Sequence, residues 1–156
     1  MEFDYQILQL TDKFYSQYTY EKYPELLLKD KRSYNCLLID LHYDYFICVP
    51  YRTEIHHNNG FKFKNTCRSK HHSSGLDYSK IVIIKNNEYI SSDDSVIDHD
   101  EYQKTVDNIE KIANQVNTYV SDYISHVRKT VILHDREFEK RYRYSTLRYF
   151  HHELNI

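Results

Sequence analysis

Two apolar stretches, residues 34–41 and 45–51, are separated only by His42-Tyr43-Asp44, and this pairing constrains the fold more than any other feature of the chain. Nearly continuous apolar and β-branched residues mark buried strands, and so short a link predicts an antiparallel hairpin. Pro50 is expected to end or bend the second strand, because proline has no N–H to offer a ladder. Ile81-Val82-Ile83-Ile84 is the strongest strand signal elsewhere, with Lys85-Asn86-Asn87-Glu88 as its terminating turn and a short extended piece at Tyr89-Ile90.

The intervening residues 52–75 change character. Asn58-Asn59-Gly60 reads as a turn, Phe61-Lys62-Phe63-Lys64 as a short alternating strand, and the polar residues through Gly75 as a loop. The first thirty residues carry a weak helical stripe (Tyr5, Leu8, Phe14, Tyr15, Tyr18) closed by Pro24, which predicts irregular structure with one short helix.

Helical signals dominate the second half. Asp98 followed by Glu101 resembles a capping box. Behind it Val106, Ile109, Ile112, Ala113, Val116, Val120, Ile124 and Val127 recur at the spacing of one long helix of about seven turns. A second helix is expected from about residue 135 to 154, with Phe138, Tyr142, Leu147 and Phe150 on a charged background. The pattern predicts an α+β domain, a small β-sheet or half-barrel followed by a helical pair.

The 156 residues suit one domain spanning 1–156. With two Gly and two Pro, collagen-like, linker-like and disordered chains are excluded. No apolar run approaches the ~20 residues that cross a bilayer, and the start lacks a basic leader, so no membrane association and a cytoplasmic location are expected. Three cysteines, Cys36, Cys48 and Cys67, without Cys-x-x-Cys spacing are expected to be structural thiols.

A formal charge of −2 conceals strong segregation. Between residues 52 and 72 lie Arg52, Lys62, Lys64, Arg68 and Lys70 against Glu54 alone, and between 128 and 148 seven basic residues face three acids. Residues 88–110 hold eight acids and Lys104. Polyanion binding needs local rather than net positive charge, so the two basic segments are candidate RNA contacts. Rings interleave with cations at Tyr51-Arg52, Phe61-Lys62-Phe63-Lys64, Arg141-Tyr142-Arg143-Tyr144 and Arg148-Tyr149, the combination that stacks bases beside neutralised phosphates. An excess of Tyr, Asn, Ile and Lys is also what an AT-rich gene produces, and a charged run is by default a solvated face.

Two glycines cannot build a phosphate-cradling loop, and neither a dinucleotide fingerprint nor a Gly-x-Ser-x-Gly elbow occurs. The pairs His56-His57, His71-His72 and His151-His152 lack the spacing of a metal site, so no metal and no cofactor are expected. The segment from Pro50 to Asn59 instead gathers cation, hydroxyl and imidazole. These groups suffice to cut RNA without a metal: a base takes the 2′-hydroxyl proton, an acid protonates the leaving oxygen and cations stabilise the phosphorane. Arg52 is the candidate stabiliser, Thr53 a phosphate-binding or relay hydroxyl, and His56 or His57 the proton shuttle; an ordinary polar loop is the competing reading.

The order Lys31-Arg32-Ser33-Tyr34, Cys36-Leu37-Leu38-Ile39-Asp40-Leu41, Phe46-Ile47-Cys48-Val49-Pro50, Arg52-Thr53 and His57-Asn58-Asn59, then the segment 76–84 and the helix after Asp98, resembles the endoribonuclease toxins of type III toxin–antitoxin systems, the ToxN/AbiQ group and its CptN branch. The resemblance covers about residues 30–130. It implies a partly closed, antiparallel β-barrel-like core similar to Kid/MazF toxins, metal-free cleavage of cellular RNA to 2′,3′-cyclic phosphate and 5′-hydroxyl ends, and a role such as phage defence. It further implies inhibition by a small structured antitoxin RNA, pseudoknot-like and processed from a repeat array, in a closed toxin–RNA assembly. Residue by residue, the family's basic position before the first core strand falls on Arg32 or Lys31, and its hydroxyl after the second strand on Thr53. Arg52 replaces a second hydroxyl, and His56-His57 depart from the family pattern. The expected RNA contacts are Tyr34, Tyr51, Lys62, Lys64, Arg68, Lys70, Arg141 and Arg143. A non-catalytic module that binds a structured RNA is the alternative reading.

Overall fold

The computed structural model describes residues 1–27 and 34–156. The sheet grows around the expected hairpin. Strands β2 (Asn35–Asp40) and β3 (Phe46–Arg52) pair antiparallel with Leu37 opposite Val49 and Ile39 opposite Ile47. These four residues are buried, as expected of a strand pair with both faces covered.

On the outer side of β2 lies β1 (Asp4–Gln9), a strand that the helical reading of Tyr5 and Leu8 missed. Only Ile7 and Leu8 of β1 are buried, so an edge strand with two core residues shows little period-2 signal. The expected short helix follows as α1 (Asp12–Gln17), which buries Phe14 against Tyr18 and Tyr89.

The other edge of β3 is shared. Its first residues pair with β6 (Val82–Ile84) and its last two, Tyr51 and Arg52, with β5 (Gly75–Asp77), which in turn pairs with β4 (Gly60–Lys62). Pro50 therefore does not end the strand. It sits where β3 changes partners, the place where a missing N–H costs least. Opposite Val49 and Pro50 the chain inserts residues 77–81, from the last residue of β5 through a 3-10 turn at Tyr78–Lys80 to the start of β6. This bulge turns Asp77 and Ser79 into the interior, as bulges re-aim side chains elsewhere.

Both glycines of the chain lie in the β4–β5 contact. A Cβ on Gly75 would stand 2.1 Å from the Phe61 carbonyl oxygen, and one on Gly60 2.6 Å from that of Leu76. The strands approach this closely because at each of these points one of the two carries no side chain.

The helices divide where the sequence pattern runs on. The long helix is two, α2 (His99–Asp107) and α3 (Ile109–Val127), interrupted at Asn108, whose side-chain amide donates to the Lys104 carbonyl at 2.8 Å. Asparagine competes with the helical backbone in this way. Helix α3 buries Ile112, Ala113, Val116, Tyr119, Val120 and Tyr123 in the same hydrophobic core as the sheet. The C-terminal helix stops at Tyr142, giving α4 (Asp135–Tyr142), and a 3-10 turn at Thr146–Tyr149 then seats Leu147 and Phe150 in the core. The architecture is α+β with a six-stranded antiparallel sheet, and the sheet is not closed into a barrel. Among the described residues no helix is long and apolar enough to cross a membrane.

Candidate active cleft

The end of β3, the segment that follows it and the first turn of α2 enclose a cleft of about 420 Å³. Its walls carry Tyr34, Tyr51, Arg52, Thr53 and Arg68, so five of the residues singled out in the sequence converge here, together with Glu54, Asp98 and Glu101. Lys31 and Arg32 lie outside the described residues.

Arg52 leaves β3 half-buried, and its Nη1 donates to the Oδ2 of Asp77 at 2.8 Å. Asp77 is fully buried on the bulge and accepts at Oδ1 from the Ser79 N–H at 2.9 Å and the Ser79 hydroxyl at 2.6 Å, with His57 Nε2 lying 3.1 Å from the same oxygen. The other imidazole nitrogen, Nδ1, accepts the Asn59 N–H at 3.0 Å. That bond places the ring proton on Nε2, which donates to the Ser79 hydroxyl oxygen at 3.2 Å. Both nitrogens of His57 are thus engaged in holding the bulge, and neither is presented to the cleft.

His56 is 78% exposed and its Nε2 lies 3.4 Å from Glu54 Oε2. His72 Nδ1 bonds the other oxygen of Glu54. The His72 hydrogen bond holds the Glu54 carboxyl below the ordinary glutamate range, reinforced by the Ser73 N–H. Glu54 is therefore a carboxylate flanked by two imidazoles at the cleft wall.

Glu101 behaves oppositely. It sits in the first turn of α2 at 3% exposure, and its Oε2 makes no hydrogen bond. Arg68 Nε is 3.9 Å away, too far to donate. Burial pushes the Glu101 carboxyl up, and Arg68 opposes only part of that. The expected capping box does not form: Asp98 makes no side-chain cap bond and pairs with Arg68 Nη2 at 3.1 Å instead.

The remaining candidates scatter. Tyr51 is buried, its hydroxyl 3.0 Å from that of Thr105 and its ring stacked on Phe63, so it offers an edge rather than an open stacking face. Lys62 and Lys64 line a different groove, with Lys104 and Lys111. Lys70 is exposed outside the cleft walls, Arg141 pairs with Asp122 at 3.1 Å, and Arg143 lies over the Tyr144 ring at 5.2 Å. Cys36 and Cys48 are buried, burial pushing the Cys36 thiol up to about 12, whereas Cys67 is exposed. Among the described residues the one group of donors close enough for a metal is Asp4, Asp40 and His42, which includes none of the paired histidines.

Sequence reasoning missed Asp77, Ser79 and Glu101. An aspartate inside the apolar segment 75–84 was the available signal, since a buried carboxylate must be paired. Nothing local distinguishes Glu101 from a helix-capping glutamate. The chain matches no protein-family model, no curated protein and no solved structure.

Proposed function

We propose that the cleft is the active site of a metal-independent endoribonuclease, a toxin that cuts RNA to 2′,3′-cyclic phosphate and 5′-hydroxyl ends and is held in check by a structured antitoxin RNA. The observation that carries this reading is the buried Glu101 carboxyl, its Oε2 without a hydrogen bond, beside Arg52, Arg68 and Thr53. Internal transesterification needs one group that exchanges a proton near neutrality and cations for the phosphorane. Glu101 has its pKa raised in the required direction. Arg52 is aimed by Asp77, and Arg68 is released to phosphate when it leaves Asp98. Thr53, exposed at the wall, donates to a non-bridging oxygen. His56, buttressed by Glu54, is the second proton carrier, and His57 is not. The Kid/MazF-like half-barrel belongs to the same reading; the open sheet with its split outer edge is its nearest counterpart here.

Purified protein is incubated with RNA in EDTA and the new ends are mapped. Cleavage with cyclic phosphate ends, lost in Glu101→Gln and Thr53→Ala, is the expected result. If those two variants cut as fast as wild type, the site assignment is wrong. Salt-sensitive RNA binding with no cleavage would favour the non-catalytic module instead.

A further inference from the structure

The cleft is poorly equipped to gather a polyanion, because three carboxylates (Glu54, Asp98, Glu101) line it against two guanidiniums that are already paired. Farther along α2 the balance reverses. A groove of about 430 Å³ between β4 and the α2–α3 junction is lined by Lys62, Lys64, Lys104 and Lys111 and by no acid. None of these lysines makes an ion pair among the described residues. Lys104 follows Glu101 by three residues on the same helix, so cleft and groove abut across α2.

The groove carries more than charge. Gln115 accepts the Tyr78 hydroxyl at Oε1, at 2.7 Å, which leaves its NH2 as the free end. Asn108 donates its Nδ2 to Lys104, which leaves its Oδ1 free. The walls thus present a donor on α3 and an acceptor at the cap that precedes it, seven residues or two turns apart and about 10 Å along the axis, with the half-exposed Phe61 ring beside them. Past Asn58 and Gln115 the same face continues to Asn114 and Arg141.

Lysines alone would suit any polyanion. Fixed amides and an accessible ring suit unpaired bases, whose hydrogen-bonding edges and faces are open only in a single strand. We propose that this groove is a binding track for single-stranded RNA, separate from the cleft and responsible for most of the affinity. Only the choice of RNA over DNA rests on the reading of the cleft as a ribonuclease.

The test is fluorescence anisotropy with a short unstructured 2′-O-methyl RNA, which transesterification cannot break, titrated over a range of salt. Lys104→Gln/Lys111→Gln should bind more weakly, and its slope of log affinity against log salt should shrink by about 1.4, at ~0.7 for each phosphate no longer neutralised. Lys104→Arg/Lys111→Arg should bind like wild type, which separates lost charge from lost folding. Lys22→Gln, at an exposed lysine that lines neither groove nor cleft, should retain both affinity and slope. Unchanged affinity and slope in the glutamine variant, or equally tight binding of a blunt duplex of the same sequence, overturns the proposal. Groove-dependent binding by a protein that never cuts unmodified RNA upholds the groove and removes the ribonuclease reading. Cutting by a protein whose groove variant binds normally does the reverse.

Discussion

The Arg52 guanidinium meets the Asp77 carboxylate at 2.8 Å, with Asp77 wholly out of solvent and Arg52 reaching from it into the cleft. Strand β3 and the bulge after β5 are joined at this point by an ion pair rather than by a ladder bond. His57 and Ser79 complete the carboxylate's partners, so three segments of chain are fastened to one buried charge.

Asp77→Ala strands the Arg52 charge and frees His57 and Ser79 together. Because Arg52 keeps part of its solvent access, the loss is that of a buried acceptor, about 1–3 kcal/mol. The expected outcome is a lower urea midpoint with an unchanged slope, and an altered slope would show instead that the bulge unfolds separately.

The two histidines of the same segment should separate cleanly. His57→Ala leaves the Asn59 N–H and the Ser79 hydroxyl oxygen without their partner, at about 1–3 kcal/mol of stability. His56→Ala should change stability by less than about 0.5 kcal/mol. It should slow RNA cleavage by roughly a hundredfold. Denaturation and cleavage assays on both variants check the split; equal loss of activity in the two would contradict it.

Stability should fall with rising pH through Glu101. Its folded-state pKa is raised by burial, so the native protein binds more protons than the unfolded chain between the unfolded and folded values, and ionisation on the alkaline side opposes folding. Glu101→Gln should therefore gain stability relative to wild type as pH rises above the unfolded glutamate value, and the gain should vanish below it. Glu54, held low, runs the other way: its contribution is present above the unfolded pKa and lost as pH drops through the folded one. Urea unfolding of Glu101→Gln and wild type at several pH values reads the first effect.

Gly75→Ala places a methyl 2.1 Å from a backbone oxygen, which no rotamer can relieve. Parting β4 from β5 should cost about 1–3 kcal/mol. A thermal melt measures the cost. A variant as stable as wild type would mean that the two strands are not in contact.

The sequence by itself determined the central hairpin, the β6 segment, the helical second half and the α+β class, because period and β-branching are local properties of a buried strand or an amphipathic helix. It also placed Tyr34, Tyr51, Arg52, Thr53 and Arg68 among the residues to watch, and these do meet in one cleft. Its reach ended at β1, where an edge strand has too few buried residues to show a period. It ended again at Asn108 and after Tyr142, where hydrophobic spacing continues across a break made by backbone and side-chain hydrogen bonds.

Tertiary structure alone decided which polar groups act together. Asp77 becomes a hub because five residues of chain sit opposite two at the change of partners along β3. His56 and His57, adjacent in sequence, face a rim carboxylate and a buried one. Glu101 acquires its raised pKa from burial, a property of everything packed around it rather than of its neighbours in the chain. Lys104, placed by composition in the acidic stretch, joins three other lysines in a groove without acids, because a helix turns residues three places apart onto neighbouring surfaces that different partners then cover.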